Sequence, residues 1–165
     1  MTVAIDLADA AALRRAFTLY PHGVMAVAAE VDGAPVGLAV SAFVSVSLEP
    51  PLVLLCFDKQ SSTWPKLKDL DAIGVSVLAR DHAWLAKQLA SRSRDRFAGA
   101  SFERVDSGAL LLADTPTQMV CTIDQVLEGG DHLMVLMRVG ECRVDADIEP
   151  LVWHDSRLLA LGRGL

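Results

Sequence analysis

The segment Asp58-Lys59-Gln60-Ser61-Ser62-Thr63 places a lysine and three consecutive hydroxyl residues directly before Trp64-Pro65. A proline there belongs in the first turn of a helix. A helix start leaves backbone N–H groups unpaired and carries the positive end of the helix dipole. With Lys59 and the hydroxyls of Ser61, Ser62 and Thr63 added, it has the chemistry of an anion site, above all for a phosphate. Ordinary capping needs only one of those hydroxyls, Ser62 or Thr63. The basic run Arg92-Ser93-Arg94-Asp95-Arg96-Phe97 offers a second source of phosphate ligands, because the guanidinium fork engages phosphate bidentately. Its bland alternative is a solvated charged loop. Phe97 beside Arg96 is an aromatic able to cover a flat ring.

Two further stretches carry candidates. In Gly37–Pro51 (GLAVSAFVSVSLEPP), Ser41, Ser45 and Ser47 are either the wet face of a strand or small residues that let a ligand approach the backbone. In Gly129-Gly130-Asp131-His132 the two glycines suit positive φ in a tight turn, which sets His132 at the start of the next element. Other chemistries lack their patterns. There is no Gly-x-Ser-x-Gly elbow, and His22, His82, His132 and His154 show no metal-ligand spacing. Neither a Gly-x-Gly-x-x-Gly nor a Walker-type loop is present, so a nucleotide would have to bind by another route.

These residues need elements to hold them. Residues 6–20 read as an amphipathic helix, capped by Asp6 or Asp9, with Leu13, Phe17 and Tyr20 turned inward. Residues 24–40 read as a hairpin turning at Asp32-Gly33. The run Pro50–Phe57 is apolar enough for a strand covered on both faces. Leu67 and Leu70 share one face of a short helix after Thr63, and residues 72–78 form a strand. A second amphipathic helix covers 81–91, capped near Asp81, with Trp84, Leu85 and Leu89 inward. Two long strands flank Gly129-Gly130, and residues 151–161 add a short pair. Strands outnumber helices and come as meanders, which favours an antiparallel barrel with helices outside over a doubly wound sheet.

At 165 residues the chain fits one domain, 1–165, with a sizeable core. A net charge of −6 argues against a nucleic-acid partner. No apolar run reaches the ~20 residues of a membrane helix. The 52% of apolar residues exceeds what one core of this size needs and points to a homo-oligomer. Cys56, Cys121 and Cys142, odd in number and set in apolar surroundings, suit buried thiols in a reducing compartment, and the cytoplasm is the simplest address.

In order, "LRRAFTLYPHGVMAVAAEVDGAPVGLAVSAFVSVSLEPPLVLLCFDKQSST", "DRFAG", "GGDHLMVLMRV" and "EPLVWHDSRLLAL" resemble the short-chain flavin reductases. The resemblance covers nearly the whole chain. It implies a mainly β fold, the FMN-binding split β-barrel of antiparallel Greek-key type, and a homodimer with the flavin near the subunit boundary. It implies NAD(P)H:flavin oxidoreductase activity, hydride passing from NADH or NADPH to FMN or FAD, and reduced flavin delivered to a flavin-dependent monooxygenase. On this chain the flavin-binding positions would be Ser41, Ala42, Phe43, Ser45, Val46 and Ser47 along the ring. Asp58, Lys59, Ser61, Ser62 and Thr63 would serve the phosphate, with Arg96 and Phe97 on the ribityl side, and His132 would meet the nicotinamide. Where relatives carry a tyrosine near the C-terminus, this chain has Ser156-Arg157-Leu158. A flavin-binding barrel without NAD(P)H oxidation and an oxidase on a similar barrel are the competing readings.

Overall fold

The computed structural model describes residues 1–93 and 95–162. The first helix, α1 (Ala10–Thr18), starts where the Asp9 carboxylate accepts the N–H groups of Ala11 and Ala12. Such a cap stabilises a helix by about 1 kcal/mol. Asp6 instead accepts the N–H of Ala8. The apolar stripe expected to face inward does not: Phe17 and Tyr20 are 65% and 68% exposed, and only Ala12 is buried.

A short β1 (His22–Gly23) leads into the hairpin β2 (Met25–Val31) and β3 (Ala34–Val40). Asp32 and Gly33 both take left-handed φ, 52° and 77°, as the tight primed turn of a two-residue hairpin demands. The strands β4 (Phe43–Leu48) and β5 (Pro51–Asp58) pair next, followed by the single turn α2 (Trp64–Leu67) and β6 (Ile73–Val77). A 3-10 turn, Arg80–His82, enters α3 (Ala83–Ala90), and β7 (Phe102–Arg104) pairs with β8 (Leu110–Leu112). The long hairpin β9 (Thr117–Gly129) and β10 (His132–Val144) and the short pair β11 (Leu151–His154) and β12 (Arg157–Ala160) complete the chain.

Seven strands form one sheet in the order β3-β2-β6-β9-β10-β5-β4. Each pairing is antiparallel. The two edge strands, β3 and β4, are consecutive in the chain and separated only by Ser41 and Ala42. A link that short spans on the order of 10 Å, whereas seven strands laid flat cover about three times that distance. The sheet therefore curls until its edges approach, and the Cys56 N–H donating to the Ala42 carbonyl at 3.1 Å carries the β4–β5 pairing up to the link itself. The result is a barrel with a seam between β3 and the β4–β5 pair.

Inside the barrel lie Val27, Val53, Leu55, Phe57, Ile73, Val75, Cys121, Val135 and Met137. In β5 only Val53, Leu55 and Phe57 are buried. Leu52, Leu54 and Cys56 face outward and are half-covered, so the expected two-sided burial is not found within this chain. A second core outside the barrel joins Leu85, Ala86 and Leu89 of α3 to Ala26, Ala28, Leu110 and Leu112. Trp84, expected inward, is 45% exposed. Nor does Asp81 cap α3. The preceding turn is closed by the Ala79 N–H donating to His82 Nδ1 at 3.3 Å, and burial lowers the His82 pKa.

Of the three cysteines, all free, Cys121 is buried and its thiol is pushed up to about 12, chiefly by burial. Cys56 is half-buried and also raised by burial, whereas Cys142 is exposed, contrary to the expectation for it.

Backbone packing is tightest at Gly74 of β6, where an added Cβ would lie 2.0 Å from the Leu110 carbonyl oxygen. Gly74→Ala is expected to destabilise the fold by about 1–3 kcal/mol, a typical cost of overpacking. Gly140→Ala, whose Cβ would meet Val120 O at an ordinary 3.7 Å, should change the thermal midpoint little. Equal midpoints for the two variants would refute this close approach.

Candidate functional site

The seam opens into a cleft of about 500 Å³ lined by residues 38–42, 56–58, 60–63 and 89–92 with Arg96 and His132. Its walls come from the Ser41-Ala42 link, the turn after β5, the end of α3 with the loop behind it, and the start of β10.

The turn after β5 is built by Asp58. Its carboxylate accepts the Gln60 N–H at 2.7 Å and its carbonyl accepts the Ser61 N–H at 2.9 Å. Ser61 Oγ then accepts the N–H groups of Thr63 and Trp64, both at 3.2 Å, so Ser61 caps α2 in place of Ser62 or Thr63. Among the described residues the Ser62 hydroxyl has no partner and stays open to the cleft. Thr63 is buried, and its Oγ1 accepts from Arg96 Nη1 at 2.8 Å.

Arg96 is fixed from several sides. The same Nη1 donates to the Gly37 carbonyl at 3.3 Å. Gln88 Nε2 reaches from α3 to the carbonyls of Arg96 and Ala98, at 3.0 and 2.9 Å. Asp95 accepts the Phe97 N–H at 3.2 Å. A guanidinium held this way on the wall of a cleft is a preformed anion seat, since its geometry needs little further ordering when the anion arrives.

His132 opens β10 in register with Asp58 of β5. Its Nδ1 lies 2.8 Å from the Asp131 carboxylate, which fixes the ring and leaves Nε2 as its other hydrogen-bonding atom. The hydrogen bond to His132, and then the charge of that ring, hold the Asp131 carboxyl below the usual range. Only Gly130 of the two turn glycines takes positive φ, 70°. A Cβ at Gly129 would instead meet Met134 Cγ at 3.1 Å.

The structure thus brings Ser41, Ala42, Asp58, Ser61, Ser62, Thr63, Arg96 and His132 to one cleft. It does not bring the other candidates there. Phe43 packs on the barrel core, and Ser45, Val46 and Ser47 run on along β4, where a bulge falls between Ser45 and Ser47. Lys59 pairs with Glu128 of β9 and leaves the cleft wall. Phe97 is 5% exposed and stands edge-on to Phe102 at 5.9 Å, so it belongs mainly to the core, and its remaining surface borders a neighbouring chamber and not this cleft. Arg94 of the basic run lies outside the described residues.

Three participants were not singled out by residue in the sequence. Gln60 and Arg92 line the cleft, and both sit inside the two stretches singled out above. Gln88 left no local signal, because its partners lie 8 and 10 residues away. An apolar chamber of about 400 Å³ continues past Ser41, walled by Ala39, Val40, Ala86, Ala90, Trp153 and Leu158. Among the described residues no three His, Cys, Asp or Glu side chains gather as a metal site, and no helix is long and apolar enough to cross a membrane.

An antiparallel barrel with an arginine-and-hydroxyl seat on its seam has the donors to hold an anionic group beside a wall of small side chains. The model of the flavin reductase like domain matches residues 17–162, and the chain belongs to that family. It is 38% identical over 155 residues to the actinorhodin polyketide dimerase of Streptomyces coelicolor, covering 93% of this chain and 88% of that one. It is 31% identical over 152 residues to the reductase subunit of a flavin-dependent monooxygenase of Rhodococcus jostii, covering 92% and 78%. The structure of an NADH:FAD oxidoreductase of Streptomyces globisporus, in complex with NAD and FAD fragments, superposes with a TM-score of 0.93 at 31% identity over 98% of both chains.

Removing the His132 ring tests the electrostatics of this turn. In His132→Ala the Asp131 carboxyl should rise toward the ordinary carboxylate range, followed by NMR titration. Since its folded value is the lower one, its stabilising contribution exists above the ordinary range and disappears as pH falls through the folded value. An unmoved Asp131 would contradict the pairing.

Proposed function

We propose that this chain is an NAD(P)H:flavin oxidoreductase that takes FMN or FAD into the seam cleft and reduces it with NADH or NADPH. The observation that carries the reading is Arg96, pinned against Thr63 Oγ1 and Gly37 O on the wall of a ring-sized cleft. The donor set fits a flavin phosphate: the Arg96 and Arg92 guanidinium groups, the Ser62 hydroxyl and the Gln60 amide all offer hydrogens to an anion. The link Ser41-Ala42, with Ala39 and Ala90, gives a flat ring a wall of small residues. The names borne by the relatives support the same activity.

When bound, the nicotinamide and the flavin supply the chemistry between them, a hydride leaving one ring for the other. The protein's task is to hold two rings in order and keep their contact dry, which asks for position more than for an acid or base. His132, its ring set by Asp131, offers Nε2 to orient the nicotinamide, and Leu158 helps to wall the apolar chamber beside the cleft.

Pairing into a homodimer accounts for the exposed apolar surface: Phe17 and Tyr20 of α1, and Val44, Val46 and Leu48 on the edge strand β4. Reduced flavin then passes to a separate flavin-dependent monooxygenase, with both proteins in the cytoplasm.

The test follows nicotinamide absorbance with each pairing of NADH or NADPH with FMN or FAD. Turnover with at least one pair is expected, and none with any pair overturns the reading. Arg96→Ala should raise the KM for FMN by about tenfold or more, the scale of one charge-assisted hydrogen bond, and that for riboflavin much less. Lys59→Ala should leave both alone. His132→Ala should raise the nicotinamide KM several-fold with a smaller change in kcat, and an unchanged KM removes that role.

A further inference from the structure

The seam cleft does not end at Arg96. A second chamber of about 520 Å³ opens beyond it, and five residues, Gln60, Ser62, Thr63, Arg92 and Arg96, line both volumes. The anion seat is therefore a waist between two chambers rather than the floor of one. The far chamber has its own chemistry. Lys66 of α2 and Arg92 supply positive charge, Ser93 a hydroxyl, and Pro35, Val36 and Phe97 an apolar side.

A mononucleotide flavin ends at its phosphate and makes no use of such a space. A dinucleotide flavin carries a second phosphate, a ribose and an adenine past the first. Those groups call for a cation, a hydrogen-bonding group and an apolar face, in a volume continuous with the first phosphate site. We infer that the far chamber takes the adenylate half of FAD, with Lys66 facing the second phosphate, and that the chain prefers FAD to FMN. The inference rests on the flavin reading above. Lys66 is exposed on a single helical turn, so replacing it leaves the fold in place.

The test is flavin fluorescence on the full chain freed of flavin, titrated separately with FAD, FMN and riboflavin, in wild type, Lys66→Ala and Lys66→Glu. The expected wild-type order is FAD tightest, by about tenfold over FMN, the scale of one added charge-assisted contact. Lys66→Ala should erase most of that advantage and Lys66→Glu should reverse it, while FMN and riboflavin affinities hold. Equal FAD and FMN affinities that neither variant moves would overturn the inference and leave the flavin site standing. Failure of all three flavins to bind would instead overturn the flavin reading itself. If Lys66→Glu raises the KM for NADH with FMN as acceptor but spares FAD affinity, the chamber serves the nicotinamide dinucleotide and the inference falls.

Discussion

Ser41 and Ala42 are the constraint on which the rest of the structure depends. They join the two strands that stand at opposite edges of a seven-stranded sheet, and two residues can do that only if the sheet closes. Closure puts β3 beside the β4–β5 pair without a continuous ladder between them, and a seam results. At that seam the chain gains an opening whose wall is made of a serine and an alanine, the smallest side chains compatible with an ordinary backbone. The cleft is a consequence of topology before it is a consequence of any polar residue.

The polar residues then settle onto it from four directions. Asp58 and Ser61 spend their side chains on the backbone of one turn, which frees Ser62 and places Thr63. Gln88 does the same for the loop that carries Arg96. Thr63 and Arg96, 33 residues apart, meet where those two locally closed structures lie side by side at the seam. Groups fixed by their own loops lose little freedom on binding, and that is what a site devoted to positioning two rings requires.

Much of this was legible in the sequence where the signal was local. The Asp32-Gly33 turn, the paired strands around Gly130 and the cap at Asp9 follow from backbone preferences of a few adjacent residues, and the structure has them all. The hydroxyl run after β5 was legible as an anion site, but the division of labour within it was not. Ser61 took the cap because the Asp58 turn aims it there, and Lys59 left because Glu128, 69 positions later, stands within reach. Phe97 shows the same limit. Next to a basic residue it reads as a ring cover, yet Phe102 and the α3 core claim it. The stripe on α1 is apolar as its spacing suggests, yet Phe17 and Tyr20 stay exposed, Tyr20 meeting the His22 ring edge-on at 4.7 Å.

The serines at and after the β3–β4 link mark where local reading and topology part. Ser41 is at the seam and lines the cleft, while Ser45 and Ser47 follow the strand away from it. Of the candidate run Ser41–Ser47, only Ser41 and Ala42 line the cleft.

The most direct check of this account is a crystal structure of the chain with FMN bound. The account predicts the phosphate within hydrogen-bonding distance of the Arg96 guanidinium and the Ser62 hydroxyl, and the ring system laid along Ser41 and Ala42 at the seam. A flavin whose phosphate lies away from Arg96, or whose ring rests on Ser45 and Ser47 of β4 instead, would contradict it.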